Sequence, residues 1–417
     1  MTDNTLYGDG RRTAPSGPFA ALARKALGRL RDGTIRLTEA GRTEVFGCGA
    51  PEVHVEVRDP RFFRRLVMGG SVGAGESYMD ADWSCDDLVS LIRIFARNRD
   101  ALDVVDGAGS VLVRWANRSR HLLRRNTRRG SRRNIEAHYD LSNEFFETFL
   151  DGRMMYSSAV FESPDATLEE ASEAKLERLC RKLELGPEDH LLEIGSGWGG
   201  LAVYAAAQFG CRVTTVTISP AQLEATQARV RAAGLQGRVR AVLSDYRDLD
   251  GCYDKVVSVE MVEAVGHEFL DRYFESLSGL TRPGGLIALQ AITIADRRYR
   301  AALAEADFIK KHIFPGSFIP SVCVLVDAAA RRTDAVLVNL EDIGLDYART
   351  LRAWRERLEA RRGEIQSLGF DERFLRMWRF YLAYCEGGFL ERAISDVQLL
   401  FAKPAYRGQP WRGALDG

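Results

Sequence analysis

A run of glycines in the middle of the chain carries the clearest chemical signal. The apolar stretch 190–194 leads directly into Gly195-Ser-Gly-Trp-Gly-Gly200. A glycine-rich turn after a strand lets a ligand approach the backbone closely at the carboxyl end of that strand. Gly195, Gly197 and Gly200 also satisfy the GxGxxG pattern of dinucleotide sites. The turn alone therefore does not say which cofactor it holds, and a tight structural turn remains an alternative.

Acidic residues near the turn separate two classes of cofactor. A nicotinamide site expects an acidic residue about 20 positions further on, at the end of the second strand. That strand ends here in Thr217-Ile-Ser-Pro, without a carboxylate. A site for S-adenosylmethionine favours an acidic residue that opens the glycine motif and an acidic or aromatic pair after the third strand. Glu193 and Ser244-Asp-Tyr-Arg247 supply these, so the residues favour a methyl donor.

Alternating strands and helices must position these residues. Apolar runs bounded by turn residues predict seven strands, at 190–194, 213–217, 239–243, 255–259, 286–292, 335–343 and 397–401. Helices are expected between them, including 220–233 and 269–281. This alternation predicts an α/β, Rossmann-like fold with a mostly parallel seven-stranded sheet and helices on both faces.

The rest of the 417-residue chain divides into further parts. Residues 1–18 are polar and contain Gly and Pro, which predicts a mobile tail. Residues 19–112 mix helical and strand-like patterns, which predicts a small α+β accessory domain without a catalytic signature of its own. An arginine-rich linker is expected at 113–134, followed by the catalytic domain at 135–417.

The charge of the chain is balanced overall but not between its parts. There are 58 Lys+Arg and 58 Asp+Glu residues, which taken alone argues against a nucleic-acid binder. Residues 1–134 nevertheless carry a net charge of +8 and residues 135–417 a net charge of −8. The segment 114–133 contains nine arginines and no acidic residue. It predicts contact with an anionic surface such as a membrane, and the alternative is a solvated linker.

Several other classes of protein are disfavoured. No apolar run reaches the ~18–20 residues that cross a bilayer. The N-terminus, Met-Thr-Asp-Asn, has neither the basic nor the apolar region of a signal peptide. The seven cysteines form no CxxC pair and the six histidines are scattered, so we expect reduced cytosolic thiols and no metal site.

Eight motifs in a fixed order carry a resemblance to a known family. They lie at 133–146 (RNIEAHYDLSNEFF), 155–158 (MYSS), 193–200 (EIGSGWGG), 216–219 (VTIS), 245–249 (DYRDL), 259–263 (VEMVE), 313–316 (IFPG) and 346–347 (DY). Together they resemble the cyclopropane-fatty-acyl-phospholipid synthases and mycolic acid cyclopropane synthases over about residues 133–405. The resemblance implies a class I S-adenosylmethionine-dependent methyltransferase. Such an enzyme methylates a cis double bond of an acyl chain, and a cyclopropane ring closes as bicarbonate takes a proton.

The resemblance also implies which residues bind the methyl donor. Tyr156 and Ser157 would contact its methionine part, and Glu193 opens the glycine motif beside them. The other implied contacts are Gly195, Gly197, Trp198 and Gly199 along the turn, Thr217, Ser219 and Gln222 at the ribose, and Asp245, Tyr246 and Arg247 at the adenine.

Four residues match positions that act on the acyl chain. Glu263 matches the glutamate of the bicarbonate site, and Ile292 matches a residue whose backbone contacts bicarbonate. Tyr347 matches an active-site tyrosine, and Tyr139 an aromatic residue beside the reacting centre. Desolvated aromatic faces would stabilise a carbocation by roughly 2 kcal/mol. Packed aromatics and a helix-start carboxylate are the structural alternatives for these residues.

Two active-site positions depart from the common family pattern. Ser158 stands where many members have Cys, and Gln290 stands where many have His. Ala264 also replaces a His, so a histidine relay is not available, because Gln donates a hydrogen bond but carries no proton. The departures bear on the fate of the cation rather than on methylation. We expect ring closure, with a methylene- or methyl-branched unsaturated chain as the alternative product.

The expected substrate is an unsaturated phospholipid acyl chain. We therefore expect a cytoplasmic protein that binds the anionic inner face of the membrane peripherally, with no nucleic-acid partner. Family members are often dimers, which favours a homodimer. Two other functions stay open: a methyltransferase for small molecules or nucleic acids, against which the chain has no NPPY-like motif, and a non-catalytic lipid-binding protein with a degenerate site.

Overall fold

The computed structural model describes residues 17–99, 142–305 and 307–411. The described residues form two compact units, one at 17–99 and one at 142–411. The arginine-rich segment 114–133 and Tyr139 lie outside the described residues.

The first unit is a small α+β fold, as the sequence predicts. Its helices are α1 (Pro18–Leu27), α2 (Arg61–Met79) and α3 (Leu88–Arg97), and its strands are β1 (Gly33–Glu39), β2 (Arg42–Cys48), β3 (Glu52–Val57) and β4 (Trp83–Cys85). The strand order is β2-β1-β3-β4, with β1 parallel to β3 and antiparallel to β2. Alternation along β3 buries its three valines, because successive side chains point to opposite faces.

The second unit is built on a seven-stranded sheet. Its strands are β5 (His190–Ile194), β6 (Arg212–Thr217), β7 (Val239–Leu243), β8 (Tyr253–Val259), β9 (Thr281–Ile294), β10 (Val336–Asp342) and β11 (Ile394–Ala402). The order is β10-β11-β9-β8-β5-β6-β7, and β11 runs antiparallel to both of its neighbours while the pairs from β9 to β7 are parallel. The predicted mostly parallel sheet is confirmed. The predicted bounds hold for β5 and β7, whereas β9 extends beyond 286–292 at both ends.

Helices cover both faces of this sheet. They are α4 (Asn143–Glu147), α5 (Leu168–Lys182), α6 (Gly200–Phe209), α7 (Pro220–Ala232), α8 (Leu270–Leu280), α9 (Asp296–Ala304), α10 (Phe308–His312), α11 (Val322–Arg332), α12 (Gly344–Ala360), α13 (Arg362–Ser367) and α14 (Glu372–Leu390). Leu192 of β5 packs in the cluster formed with α8 and α11, whereas Leu191 packs in the cluster formed with α5 and α6. Burial on both faces explains why β5 is almost continuously apolar. Within the described ranges, no helix is long and apolar enough to cross a membrane.

The parallel strands bring the predicted site residues to one edge. The glycine turn follows β5, Thr217 ends β6, Asp245 follows β7, and Glu263 lies just after β8. In open α/β sheets, ligands bind outside the carboxyl ends of the strands. The described fold therefore places the candidate site at this edge.

Candidate active site

The glycine turn forms a tight cradle after β5. Gly195, Gly197 and Gly199 all have left-handed backbones, with φ of 95°, 48° and 83°. A Cβ at Gly199 would lie 2.9 Å from Cγ2 of Thr226, so a larger residue would clash as well as strain the backbone. The amides of Gly195 and Ser196 both donate to the carbonyl of Val216 at 3.0 Å, which fixes the turn against the end of β6. A cofactor could therefore approach the backbone of this turn closely.

Trp198 and Glu193 support the turn from inside. The indole Nε1 of the buried Trp198 donates to Oδ1 of Asn143 at 2.8 Å. The hydroxyl of Thr215 donates to Oε2 of Glu193 at 2.5 Å. Burial raises the pKa of Glu193 to about 8, opposed by this hydrogen bond and by the charge of Lys175. Glu193 is therefore mostly protonated at neutral pH.

The predicted ribose contacts form a connected group at the end of β6. The hydroxyl of Thr217 donates to Oε1 of Gln222 at 2.8 Å and accepts from the amide of Ser219 at 3.1 Å. Ser219 caps α7 by accepting from the amide of Gln222 at 3.3 Å. The structure thus brings together the three residues that the resemblance assigned to the ribose.

The predicted adenine frame follows β7 as one short turn. Asp245 caps the 3-10 turn Tyr246–Asp248 and forms a two-point ion pair with Arg247, whose Nε and Nη2 donate at 2.8 and 2.6 Å. The pair raises the pKa of Arg247 and keeps the guanidinium charged. The amide of Ser244 donates to the carbonyl of Thr217 at 3.0 Å. The residues predicted to contact the adenine therefore lie beside those predicted to contact the ribose.

The two predicted methionine contacts lie on the segment between α4 and α5. The hydroxyl groups of Tyr156 and Tyr381 lie 3.1 Å apart. Oγ of Ser157 accepts from Nζ of Lys175 at 2.8 Å. Lys175 has no solvent exposure, and burial lowers its pKa. The sequence prediction missed this lysine, because a lysine within a helix usually faces solvent.

Glu260 is the other residue that the sequence prediction missed, and it lies at the centre of the site. Its Oε1 accepts from the amide of Ser158 at 2.7 Å and from Nε2 of Gln290 at 2.8 Å. Its Oε2 accepts from the hydroxyl of Tyr347 at 2.7 Å. Three predicted active-site residues therefore meet on a carboxylate that was not predicted. Its position directly after a central parallel strand is the signal that could have identified it.

Gln290 connects this carboxylate to a second one. Its Nε2 also donates to Oδ2 of Asp396 at 3.0 Å, and its Oε1 accepts from Nε2 of Gln398 at 3.1 Å. Burial, followed by the nearby charge of Glu260, raises the pKa of Asp396 well above its ordinary value. Burial raises the pKa of Glu260 too, but the three hydrogen bonds that it accepts favour its charged form and oppose that shift.

Glu263 and Ile292, which the resemblance assigned to the bicarbonate site, contact each other directly. The backbone amide of Ile292 donates to Oε1 of Glu263 at 2.6 Å. Oε2 of Glu263 is buried and has no hydrogen-bond partner among the described residues. Burial first, and the charge of Glu260 second, raise the pKa of Glu263 to about 8. The site therefore holds three carboxyl groups close together, most of them protonated near neutral pH.

A family model matches more than half of the chain. The model "Mycolic acid cyclopropane synthetase" matches residues 126–399. The chain belongs to this family. The resemblance stated from the motifs is thereby confirmed, as is the class I methyltransferase fold.

Relatives in the family match nearly the whole chain. Tuberculostearic acid methyltransferase UfaA1 of Mycobacterium tuberculosis is 40% identical over 401 residues, which cover 90% of each chain. Cyclopropane-fatty-acyl-phospholipid synthase of Escherichia coli is 36% identical over 367 residues, which cover 86% of this chain and 90% of the relative. As a member of this family, the present chain is an S-adenosylmethionine-dependent methyltransferase that cyclopropanates lipid acyl chains or carries out a related methyl transfer.

Solved structures of the family share the fold of the second unit. The cyclopropane synthase MmaA2 of Mycobacterium tuberculosis is 30% identical with a TM-score of 0.61, and the match covers 65% of this chain and 98% of MmaA2. The mycolic acid cyclopropane synthase CmaA1 complexed with SAH and CTAB matches with the same TM-score, identity and coverage.

Proposed function

We propose that the enzyme transfers a methyl group from S-adenosylmethionine to a cis double bond of an unsaturated phospholipid acyl chain and closes a cyclopropane ring. The observation that carries this proposal is an aromatic wall, which we define as Tyr156, Phe314, Tyr347, Trp354 and Tyr381. It runs from the methionine contact Tyr156 through Trp354, at 5.3 Å between ring centroids, to Tyr347, at a further 6.1 Å. Phe314 and Tyr381 complete it beside Tyr156.

This wall suits a reaction that passes through a carbocation. The π electrons of the alkene form the new C–C bond while the S–CH₃ bond breaks and leaves its electron pair on sulfur. A cation then remains on the neighbouring chain carbon, and water would trap it as an alcohol. Aromatic faces stabilise such a cation and exclude water. The cation is discharged when a base takes a proton and the C–H electron pair forms a C–C bond.

Bicarbonate was the expected base, but three hydrogen-bond donors of the active site already have a partner in the chain itself. Ser158, Gln290 and Tyr347 all donate to Glu260 instead. A further anion would also be repelled by the Glu260 carboxylate. The proposed steps therefore do not include bicarbonate.

Retention of a methyl or methylene branch is the second candidate outcome. It is favoured by the departures at Ser158 and Gln290 and by the similarity to a relative named as a tuberculostearic acid methyltransferase. In that outcome the cation loses a proton to give an alkene, and no ring bond forms. Both outcomes need the same methyl donor and the same double bond.

Lipid mass spectrometry with a labelled donor tests the proposal and separates the outcomes. The enzyme is incubated with vesicles of cis-unsaturated phospholipid and a donor whose methyl group carries three deuterium atoms. Ring closure gives a saturated product with two deuteriums, a methylene branch gives an alkene with two, and loss of a chain proton gives an alkene with three. Vesicles of saturated phospholipid are the control. Failure to label any unsaturated lipid would contradict the proposal, and labelled RNA or small molecules would favour another acceptor.

We propose in addition that residues 114–133 bind anionic phospholipid. The support is their composition, nine arginines without an acidic residue. Each basic residue near such a surface contributes about 1 kcal/mol. Reversing the charge of several of these arginines should weaken co-sedimentation with anionic vesicles and leave binding to neutral vesicles unchanged. If the wild type and the charge-reversed variant co-sediment equally with anionic vesicles, this proposal is refuted. Sedimentation velocity on the same samples tests the expected homodimer.

A further inference from the structure

We propose that Glu260 is a catalytic residue, and that its carboxylate removes the proton for which the family resemblance implied bicarbonate. This inference rests on the proposed function, because it assigns the base for that reaction. It has a direct consequence: turnover needs no dissolved bicarbonate.

Three hydrogen-bond donors converge on Glu260. The resemblance placed Ser158, Gln290 and Tyr347 in the active site, where bicarbonate was expected, and all three donate to the Glu260 carboxylate at 2.7–2.8 Å. A carboxylate and bicarbonate share the planar O–C–O group that such donors recognise. The protein therefore supplies from its own chain the anion for which this donor set is built.

Glu260 lies next to the predicted cofactor site and has an unusual backbone conformation. It follows β8 directly, and the next residue, Met261, lies against the glycine turn, with its Cγ 3.2 Å from the Cβ position at Gly195. Glu260 has a φ of 47°, a left-handed value that a glutamate rarely adopts, and its amide donates to the carbonyl of Gln290 at 2.8 Å. Backbone strain of this kind concentrates at functional sites.

Glu260 is more exposed to solvent than the two residues behind it. Glu260 is half-buried, whereas Gln290 and Asp396 behind it are almost fully buried, at 1% and 0% exposure. Glu260 is thus the least buried of these three hydrogen-bonded residues. A base must reach its proton within hydrogen-bond distance, and among these polar groups Glu260 is placed to do so.

The charges around Glu260 suit a base. Four titratable groups face it: Asp396 from β11, Glu263 just after β8, Tyr347 from α12 and Lys175 from α5. Burial raises the pKa of both Asp396 and Glu263, so these two carry protons near neutral pH. Burial also raises the pKa of Glu260, and its three donors and the Lys175 charge oppose this shift. The result is a carboxylate that is a stronger base than an exposed glutamate.

The proposed step is balanced without another reagent. The Glu260 carboxylate forms an O–H bond with a hydrogen of the newly added methyl group. The electron pair of that C–H bond forms the C–C bond of the ring and discharges the chain cation. Glu260 becomes a carboxylic acid, and it returns its proton to water after the product leaves.

Two substitutions and a depleted buffer test this role. Wild-type enzyme should convert unsaturated vesicles equally fast in buffer stripped of carbon dioxide and in buffer with added bicarbonate. Glu260→Gln keeps the shape but cannot accept the proton, and should lose activity by about 100-fold or more in both buffers. Glu260→Gly fits the left-handed backbone and frees the donors. In stripped buffer, Glu260→Gly should be as slow as Glu260→Gln, and its activity should rise at least about tenfold when bicarbonate is added. Glu188→Gln, the same change at an exposed residue, is the matched control.

The outcomes separate this inference from the proposed function. If the wild type methylates lipid only when bicarbonate is present, or if Glu260→Gln stays active, the inference is overturned and the function stands. If the wild type modifies no lipid in either buffer, the proposed function itself fails. Methyl-donor binding by calorimetry and thermal unfolding of each variant show whether a loss reflects misfolding. If both variants misfold, the wild-type comparison alone decides.

Discussion

The hydroxyl of Tyr347 donates a 2.7 Å hydrogen bond to Oε2 of Glu260 and so joins α12 to the end of β8. Tyr347→Phe removes this donor but keeps the ring, which packs on Phe389 at 4.6 Å between centroids. The hydrogen bond lowers the pKa of Glu260, so its loss raises that pKa further. A base works only when ionised, and activity is lost as pH falls through its pKa. We expect the rising limb of the pH–rate profile to move to higher pH, with about tenfold lower kcat/KM at neutral pH.

Tyr406→Phe is the matched control for this prediction. Tyr406 also donates its hydroxyl to a glutamate, Glu184, but outside the site. Its loss should leave the pH–rate profile in place. A Tyr347→Phe enzyme with the wild-type profile would show that the bond only positions the ring.

The glycine turn allows a prediction on donor binding. Gly199→Ala places a Cβ 2.9 Å from Thr226 at a φ of 83°. We expect a stability loss of about 1–3 kcal/mol and at least tenfold weaker binding of S-adenosylmethionine, measured by thermal unfolding and calorimetry. Gly363→Ala, at an exposed glycine of α13 with nothing near its Cβ position, should instead be neutral or stabilise by about 0.5–1 kcal/mol. Unchanged donor affinity in Gly199→Ala would place the donor elsewhere.

Local patterns explain why much of the site could be predicted. The turn at Gly195–Gly200 and the ends of β6 and β7 are encoded by neighbouring residues, and parallel strands place them at one edge. The resemblance of these motifs to the family named candidates for the contacts to the methyl donor, as well as Glu263 and Ile292, before the fold was known. The same reasoning is weaker in the first unit, where the largely exposed strand β2 has no buried alternation and was not predicted.

The centre of the site depends on contacts that no local pattern shows. Glu260 and Gln290 are 30 residues apart in the chain, and Asp396 is a further 106 away. Gln290 meets Glu260 because β9 pairs with β8, and it meets Asp396 because β11 inserts antiparallel beside β9. Lys175 likewise becomes a site residue only when α5 packs on the sheet. Such roles follow from tertiary packing and need the structure.

The buried acid Glu193 predicts a dependence of stability on pH. Its pKa is about 8 in the folded protein, mainly because of burial, and near 4.5 when exposed. The folded state therefore holds this proton more tightly, and the stability contribution is complete below about pH 4.5 and lost as pH rises to 8. Glu193→Gln, which still accepts from Thr215, should gain stability relative to wild type by up to about 1.4 kcal/mol per pH unit across this range. Thermal unfolding at pH 5 and pH 9, in the absence of S-adenosylmethionine, measures the stability difference between the two proteins. The exposed Glu356→Gln should show none, and a pH-independent Glu193→Gln effect would contradict the assignment.

The buried lysine Lys175 offers a complementary prediction. Its surroundings include Glu193, Glu260 and Asp396, whose negative charge it offsets. Lys175→Met leaves those charges without this cation and Ser157 without its donor at 2.8 Å. We expect a loss of about 3–5 kcal/mol at pH 8, where the carboxyls ionise. The loss should be smaller at pH 5, where protonated carboxyls need no counter-charge. Urea unfolding at the two pH values measures it.

Lys182→Met separates the effect of the site from the cost of losing a buried lysine. Lys182 lies on the same helix, but its Nζ donates to Glu341 at 2.6 Å and to Gln398 at 2.9 Å. Its removal should also destabilise the fold, yet leave the activity profile in place. Lys175→Met should instead shift the rising limb of activity to higher pH, because the lysine charge lowers the pKa of Glu260. Equal profiles for the two variants would assign Lys175 to the fold alone, since an electrostatic role at Glu260 requires that they differ.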